Sequence, residues 1–275
     1  RRLAGDDPAA REIAAMLQRV HPDLVLLNEF DYDAAGRAAD LFQQKYLALS
    51  QGPGLAPLHY PHRYLAPVNT GVASGLDLDG NGTIGTSGRA AGDDAWGYGL
   101  HPGQYGMLVL SKYPIDTAAV RSFRLLKWSA MPDASRPIDP RARRHFHDDA
   151  VWKALRLSSK SHWDVPVRTP LGRVHFLVSH PTPPVFDGPE DRNGARNADE
   201  LRLWRAYRGA RKRSRRELRQ WCKERRLSLL RLSEWEDVYH QLADRAREIG
   251  IHETNGVASY TAVHRSLLAG FTSHV

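Results

Sequence analysis

The sequence predicts an α/β domain followed by a small all-α segment. Two hydrophobic stretches have the patterns of strands, because residues 24–27 form an unbroken apolar run and apolar residues alternate over 174–178. A helical spacing of apolar residues over 13–20 precedes the first strand, and the same spacing returns after residue 217. We therefore predict an α/β domain over residues 1–206, a basic hinge over 207–216 and a helical segment over 217–275.

The first helix has readable boundaries. Asp7 is placed to cap its N-terminus and is followed by proline, a residue favoured in the first helical turn. Ile13, Leu17 and Val20 fall on one face, and the His-Pro pair at 21–22 turns the chain. The strand that follows has no polar alternation, so both of its faces are expected to be covered.

Polar residues follow this strand without a break. Asn28 and Glu29 come first, and Asp31 and Asp33 lie just beyond them. Carboxylates at the end of a buried strand suit magnesium, which takes one or two carboxylates and completes its shell with water and substrate phosphate. A solvated acidic turn explains Asp31 and Asp33 equally well, but explains Glu29 less well.

His180 stands at the end of the strand predicted over 174–178 and opens a loop rich in Asp, Glu, Arg and Asn. Such strand ends commonly carry binding and catalytic groups on a rigid scaffold. The alternative is a histidine that is hydrogen-bonded at a strand terminus, followed by a surface loop stiffened by prolines. The acidic strand end near Glu29 favours the first interpretation.

Four blocks in this order resemble the endonuclease/exonuclease/phosphatase superfamily, the DNase I-like metal-dependent phosphoesterases, and especially its exported bacterial branch. The resemblance covers about residues 7–204. Its blocks are PDLVLLNEFDYD (22–33), GQYGMLVLSKYPI (103–115), LRLSSKSHWDVPV (155–167) and SHPTPPVFDGPEDRNGARNADELRLW (179–204).

The resemblance implies a DNase I-like α/β sandwich that hydrolyses a phosphate ester with Mg²⁺ or Mn²⁺. It implies that Glu29 binds the metal, that His180 contacts the scissile phosphate and that Tyr105 lines the same site. Arginine forks and asparagine amides match phosphate oxygens. The residues implied to face the phosphate are Arg192, Asn193, Arg196 and Asn197.

The chain departs from the superfamily at both ends of the resemblance. An opening strand with an asparagine metal ligand is missing, and neither the Gly-Asp-x-Asn element nor the closing Asp-His pair follows Trp204. The general base and part of the metal shell therefore have no candidates. We expect an incomplete sandwich with weak or no activity.

The segment 217–275 resembles the helical region downstream of the motor domains in bacterial DEAH-box RNA helicases. Neither G-x-x-x-x-G-K-[ST] nor D-E-A-H occurs in the chain. The alternatives to a phosphoesterase are thus a non-enzymatic nucleic-acid-binding helical fragment and a non-functional chimaera. If the chain follows the phosphoesterase branch, we expect an exported protein. If it follows the helicase part, we expect a cytoplasmic one.

Positive charge is concentrated at the junction between these two parts. The whole chain has a formal net charge of +8, and its lysines and arginines are densest over 205–231. Such a strip can hold nucleic-acid phosphates nonspecifically, although a solvated basic helix face is an equal alternative. The residues proposed for this electrostatic contact are Arg211, Lys212, Arg213, Arg215 and Arg216.

A loop over 77–83 resembles the first half of a calcium-binding loop. Asp77, Asp79 and Asn81 take positions one, three and five, but position twelve is a glycine. Asp93 or Asp94 is the candidate for the missing acid. An ordinary Gly-rich turn is the alternative, so Ca²⁺ joins Mg²⁺ and Mn²⁺ as a candidate cofactor.

Further features limit the remaining possibilities. The density of Gly, Pro and Asn between residues 50 and 103 predicts long loops over the site. His145 and His147 lack a known ligand spacing and are predicted to lie in a surface loop. The sequence contains no stretch of about twenty apolar residues and therefore predicts no membrane span. Its single cysteine, Cys222, excludes an internal disulfide.

Overall fold

A computed structural model describes residues 7–209 of the chain. The helices are α1 (Pro8–Val20), α2 (Arg37–Phe42), α3 (Gly88–Asp93), α4 (Asp149–Ala154) and α5 (Arg192–Gly209). The strands are β1 (Leu24–Asn28), β2 (His62–Tyr64), β3 (Met107–Ser111), β4 (Arg121–Ser122), β5 (Ile138–Asp139), β6 (Arg144–His145), β7 (His162–Thr169) and β8 (Gly172–Ser179).

The strands form two three-stranded antiparallel sheets and one separate hairpin. The first sheet has the order β1-β3-β2 and the second β4-β7-β8, while β5 pairs only with β6. The two larger sheets pack face to face through a shared apolar core. That inner core includes Leu26, Met107 and Val109 from the first sheet, with Trp163, Val165, Val167 and Val178 from the second.

Helices cover the outer faces of both sheets, which gives four layers. The helices α1 and α2 share a core with Val25, Leu108 and Leu110 of the first sheet. On the other side, Leu203 and Trp204 of α5 belong to the core beneath the second sheet. The α/β sandwich predicted from the sequence is confirmed.

The first helix and strand follow the sequence pattern with one difference. Asp7 caps α1, accepting a hydrogen bond of 3.0 Å from the amide of Ala10. Ile13 is 38% exposed, whereas Gln18 is buried because its amide donates to the carbonyls of Leu47 and Leu49. The buried face of α1 therefore includes Ala14 and Gln18 and is rotated away from Ile13.

Strand β1 is covered on both faces, as predicted, since Val25 joins the helix-side core and Leu26 the inner core. The ends of β1 and β8 lie together, with Asn28 Nδ2 3.5 Å from the carbonyl oxygen of Ser179. The residues that follow these two strands are therefore neighbours at one edge of the sandwich.

The C-terminal predictions fall mostly beyond the described region. Helix α5 continues to Gly209, past the boundary predicted at residue 206. The charged residues 211–216 and the helical segment 217–275 lie outside the described residues, so the proposed hinge and tail stay predictions. No helix within residues 7–209 is long and apolar enough to span a membrane.

Candidate functional site

Glu29 and His180 meet where β1 and β8 end. The carboxylate Oε1 of Glu29 lies 3.9 Å from Nε2 of His180. The Glu29 side chain is 69% exposed, whereas that of His180 is only 14% exposed. This pair, with Asn28 and Tyr105, forms what we call the strand-end site. An accessible carboxylate beside an oriented imidazole can receive both a cation and a phosphate.

The imidazole of His180 is oriented by the neighbouring loop. Its Nδ1 lies 3.3 Å from the backbone carbonyl oxygen of Tyr105. A carbonyl oxygen can only accept, so Nδ1 is the donor in this contact and Nε2 is the nitrogen directed toward Glu29. The predicted neighbourhood of Tyr105 and His180 is present, and it is made through the tyrosine backbone.

Two tightly joined loops hold Glu29 and Tyr105 in place. Both residues have left-handed backbone conformations, with φ of 60° and 55°. Such conformations are uncommon outside glycine and persist where surrounding contacts enforce them. Here the amide of Phe30 donates to the carbonyl of Gly106 at 3.2 Å, and a Cβ at Gly106 would lie only 2.7 Å from Phe30 O.

Asp31 and Asp33 have structural partners in the same loop. Asp31 Oδ1 accepts the amide of Tyr105 at 3.0 Å and so fixes the residue that orients His180. Asp33 accepts the amides of Arg37 and Ala38 at the start of α2. Both acids therefore accept backbone amides, Asp33 at the N-terminus of α2, whereas Glu29 accepts no backbone amide from the described residues.

An amide oxygen at the strand-end site lacks a partner. Asn28 Oδ1 is enclosed and accepts no hydrogen bond from the described residues. A buried, unsatisfied acceptor costs free energy and calls for an explanation such as water or an ion. Asn28 Oδ1 and the carboxylate of Glu29, the next residue in the chain, are both oxygen groups of the kind that Mg²⁺ prefers.

Two residues that the sequence analysis passed over complete the surroundings. Glu200 is fully buried on α5, and its carboxylate accepts the amides of Ser159 at 3.2 Å and Thr182 at 2.6 Å. It thereby joins the segment that enters β7 to the loop after His180. Lys160 is 6% exposed, and burial lowers its pKa to about 8. Both lie in the sequence blocks that carry the resemblance.

The four residues predicted to face phosphate make contacts within the protein. Arg196 donates from Nε to Leu157 O, and from Nη2 to the carbonyls of Trp96 and Arg156. Arg192 pairs with Glu190 and lies over the ring of Phe146. Asn193 and Asn197 donate to the carbonyls of Val185 and Thr182. The contacts of Asn193 and Asn197 tie the loop after His180 to α5, whereas those of Arg196 tie α5 to residues 96 and 156–157. A role toward phosphate stays a prediction for all four.

His147 is buried, so its placement in a surface loop was wrong. Its exposed fraction is 5%, and Arg136 donates to its carbonyl oxygen at 2.7 Å. Burial, followed by the nearby positive charges of Arg196, Arg192 and Arg136, lowers the pKa of His147 to about 4. The imidazole is therefore neutral at physiological pH.

The calcium-like loop brings together three carboxylates. Oxygens of Asp77, Asp79 and Asp94 lie within 4.8 Å of one another. Asp94, and not Asp93, thus supplies the third acid, whereas Asn81 Oδ1 accepts from the amide and hydroxyl of Thr83. Partial burial, together with the charges of Asp94 and Asp77, raises the pKa of Asp79, and a bound cation would relieve this repulsion.

The whole-sequence comparison identifies a phosphoesterase family. Residues 1–231 match the endonuclease/exonuclease/phosphatase family. The match extends beyond Trp204, the last residue of the four sequence blocks that carry the resemblance, and it includes the basic residues 211–216.

A second similarity is to bacterial RNA helicases. The chain is 36% identical over 76 residues to an ATP-dependent RNA helicase HrpA homolog of Haemophilus influenzae. It is 39% identical over 57 residues to ATP-dependent RNA helicase HrpA of Escherichia coli. These matches cover 27% and 21% of this chain, but only 6% and 4% of the helicases. They confirm the second resemblance. No solved structure matches the chain.

Proposed function

Because the chain belongs to the endonuclease/exonuclease/phosphatase family, we propose that its strand-end site hydrolyses a phosphate ester with the help of Mg²⁺ or Mn²⁺. The observation that carries this proposal is the approach of Glu29 Oε1 to His180 Nε2 within 3.9 Å at the ends of two strands. The Glu29 side chain is not needed there for packing, since it is 69% exposed.

The oxygen ligands of the site fit a hard cation. Glu29 offers an exposed carboxylate, and the enclosed Asn28 Oδ1 lacks a hydrogen-bond donor. Magnesium commonly takes one or two protein ligands and fills its other positions with water and phosphate oxygens. When bound, the cation would supply charge stabilisation at the phosphoryl oxygens.

The side chains around the cation would have distinct tasks. His180, held through Nδ1 by the Tyr105 carbonyl, presents Nε2 toward the phosphate position beside Glu29. Once protonated, that nitrogen donates a charge-assisted hydrogen bond to a phosphoryl oxygen. The backbone contacts between residues 30–32 and 103–106 keep this geometry in place, and fixed donors are the main source of such electrostatic stabilisation.

The expected activity of the 275-residue chain is low, because it lacks the Gly-Asp-x-Asn and Asp-His elements. Loss of members of a catalytic unit typically costs several orders of magnitude in rate. The test is hydrolysis of bis(4-nitrophenyl) phosphate with Mg²⁺, before and after EDTA. We expect a rate far below the about 1–1000 per second of ordinary enzymes, abolished by EDTA. A rate within that range would refute the impairment, and a rate unaffected by EDTA would refute metal dependence.

Nucleic-acid binding is a second candidate function. The charge of residues 205–231 and the similarity to RNA helicases favour it, and the family itself includes nucleases. Contact through the phosphates would be nonspecific and weakened by salt. The residues proposed to contact the phosphates all lie outside the described region. They are Arg211, Lys212, Arg213, Arg215 and Arg216.

We also propose that Asp77, Asp79 and Asp94 hold Ca²⁺. A ligand that binds only the folded state raises the melting temperature, so millimolar Ca²⁺ should raise that of the wild type by roughly 2–5 °C. Asp79→Ala should abolish the shift, because it removes one of three clustered carboxylates. Asp93→Ala is the matched control, since Asp93 pairs with Arg89 instead. An unchanged wild-type melting curve would reduce the loop to a turn.

A further inference from the structure

Lys160 is a buried cation without a counter-ion in contact. The residue is 6% exposed, yet its ammonium makes no hydrogen bond or ion pair with any residue from 7 to 209. Nζ is not among the enclosed side-chain polar atoms of this region that lack a hydrogen-bond partner, and since it has no partner it must still reach solvent. Burying a charge is costly unless a partner compensates for it. The position of Lys160 therefore points to a ligand.

The backbone around Lys160 is held from several sides. Asn69 donates from its amide to the carbonyl of Lys160 at 3.0 Å, and from Nδ2 to the carbonyl of Ser158 at 2.7 Å. A Cβ at Gly97 would overlap the carbonyl oxygen of Ser159, so this segment also packs directly against a glycine. Such constraints fix the origin of the lysine side chain, and a fixed origin is a requirement of a binding site.

The segment that carries Lys160 adjoins the strand-end site. One carboxylate links the two, because Glu200 accepts the amide of Ser159 on Oε1 and the amide of Thr182 on Oε2. Ser159 precedes Lys160, and Thr182 lies two residues after His180. The charges of Glu200 and Glu29 also act on the lysine, raising its pKa against the larger lowering by burial. Lys160 therefore lies within electrostatic range of the proposed metal ligand.

A purely structural role explains these features poorly. A lysine that only balanced Glu200 would be expected to form an ion pair with it, whereas Glu200 uses its oxygens for two backbone amides. The lowered pKa shows that the surroundings as a whole disfavour the charged form. A bound anion with several acceptor oxygens would instead favour the charged form of Lys160. Lysine is well suited to this task as a compact charge with three donors.

We propose that Lys160 binds a non-bridging oxygen of the substrate phosphate at the strand-end site, alongside His180 and the Glu29-bound cation. This inference rests on the function proposed above. It adds a cationic contact from the segment that enters β7, so that phosphate is held between this segment and the ends of β1 and β8.

The test is calorimetric titration of inorganic phosphate into the full chain with Mg²⁺ at pH 7, where Lys160 is charged. We expect Lys160→Met to weaken binding by about ten- to hundredfold, as for loss of a hydrogen bond to a charged group. Its melting temperature should stay the same or rise, because an uncompensated buried charge has been removed. Lys160→Arg should keep more of the affinity. Lys112→Met, at the opposite end of β3 beside Asp23, is the control.

The outcomes separate the inference from the proposed function. Phosphate binding that is lost in Glu29→Gln but within twofold of wild type in Lys160→Met would overturn the inference alone. No binding by the wild type would overturn both. If Lys160→Met does not fold, Lys160→Gln is measured in its place. A large drop in melting temperature in both variants would identify Lys160 as a structural cation and overturn the inference.

Discussion

Replacement of Glu200 by alanine should lower the free energy of unfolding by about 2–5 kcal/mol. The substitution leaves the amides of Ser159 and Thr182 without their acceptor in a fully buried position, and each unsatisfied buried donor costs about 1–3 kcal/mol. The free energy of unfolding of Glu200→Gln should lie between those of the wild type and the alanine variant, because glutamine retains the side-chain length and one acceptor oxygen. The measurement is urea unfolding of the full chain.

The matched control for Glu200 is Glu12→Ala, since Glu12 is exposed on α1. Exposed substitutions away from special contacts typically change stability by less than about 0.5 kcal/mol. Equal unfolding free energies for the Glu200 and Glu12 variants would remove Glu200 as the link between the entry to β7 and the loop after His180.

Acidification should destabilise the protein through His147. Burial and three nearby arginines lower the pKa of His147 from 6.5 to about 4. The unfolded chain therefore binds the proton more readily than the folded one. The stabilisation is complete above pH 6.5 and is lost as the pH falls toward 4. It amounts to about 3 kcal/mol in total, of which about 2 kcal/mol is lost by pH 5.

The comparison that isolates this effect is urea unfolding at pH 7.5 and pH 5. His147→Gln should lose about 2 kcal/mol less stability between the two pH values than the wild type. His59→Gln, which alters an exposed histidine, should follow the wild type. If all three proteins have the same pH dependence, the neutral state of His147 in the fold is refuted.

The strands of the sandwich were predictable from local pattern, and the Glu29–His180 pair from the resemblance to a known superfamily. The unbroken apolar run at 24–27 must be covered on both faces, and the polar residues that follow a strand lie where its sheet ends. The resemblance of four sequence blocks then indicated which strand ends meet. The antiparallel pairing of β1 with β3 also places Tyr105 beside the end of β1.

The contributions of Lys160, Glu200 and His147 were not predictable, because they depend on burial by distant residues. Glu200 contacts an amide 41 residues earlier in the chain, and His147 is surrounded by arginines from two other segments. Nothing in the local sequence records such contacts. The same reason applies to Arg196, whose guanidinium donates to backbone carbonyls up to 100 residues away.

The most direct measurement of the central claim is Mg²⁺-dependent hydrolysis of bis(4-nitrophenyl) phosphate by wild type, Glu29→Ala and His180→Ala in parallel. His59→Ala and Glu12→Ala serve as controls for loss of an imidazole and of a carboxylate elsewhere. We expect a low wild-type rate that persists in both controls and disappears in the Glu29 and His180 variants and with EDTA. Hydrolysis that survives both substitutions and EDTA would contradict a phosphoesterase site at the ends of β1 and β8.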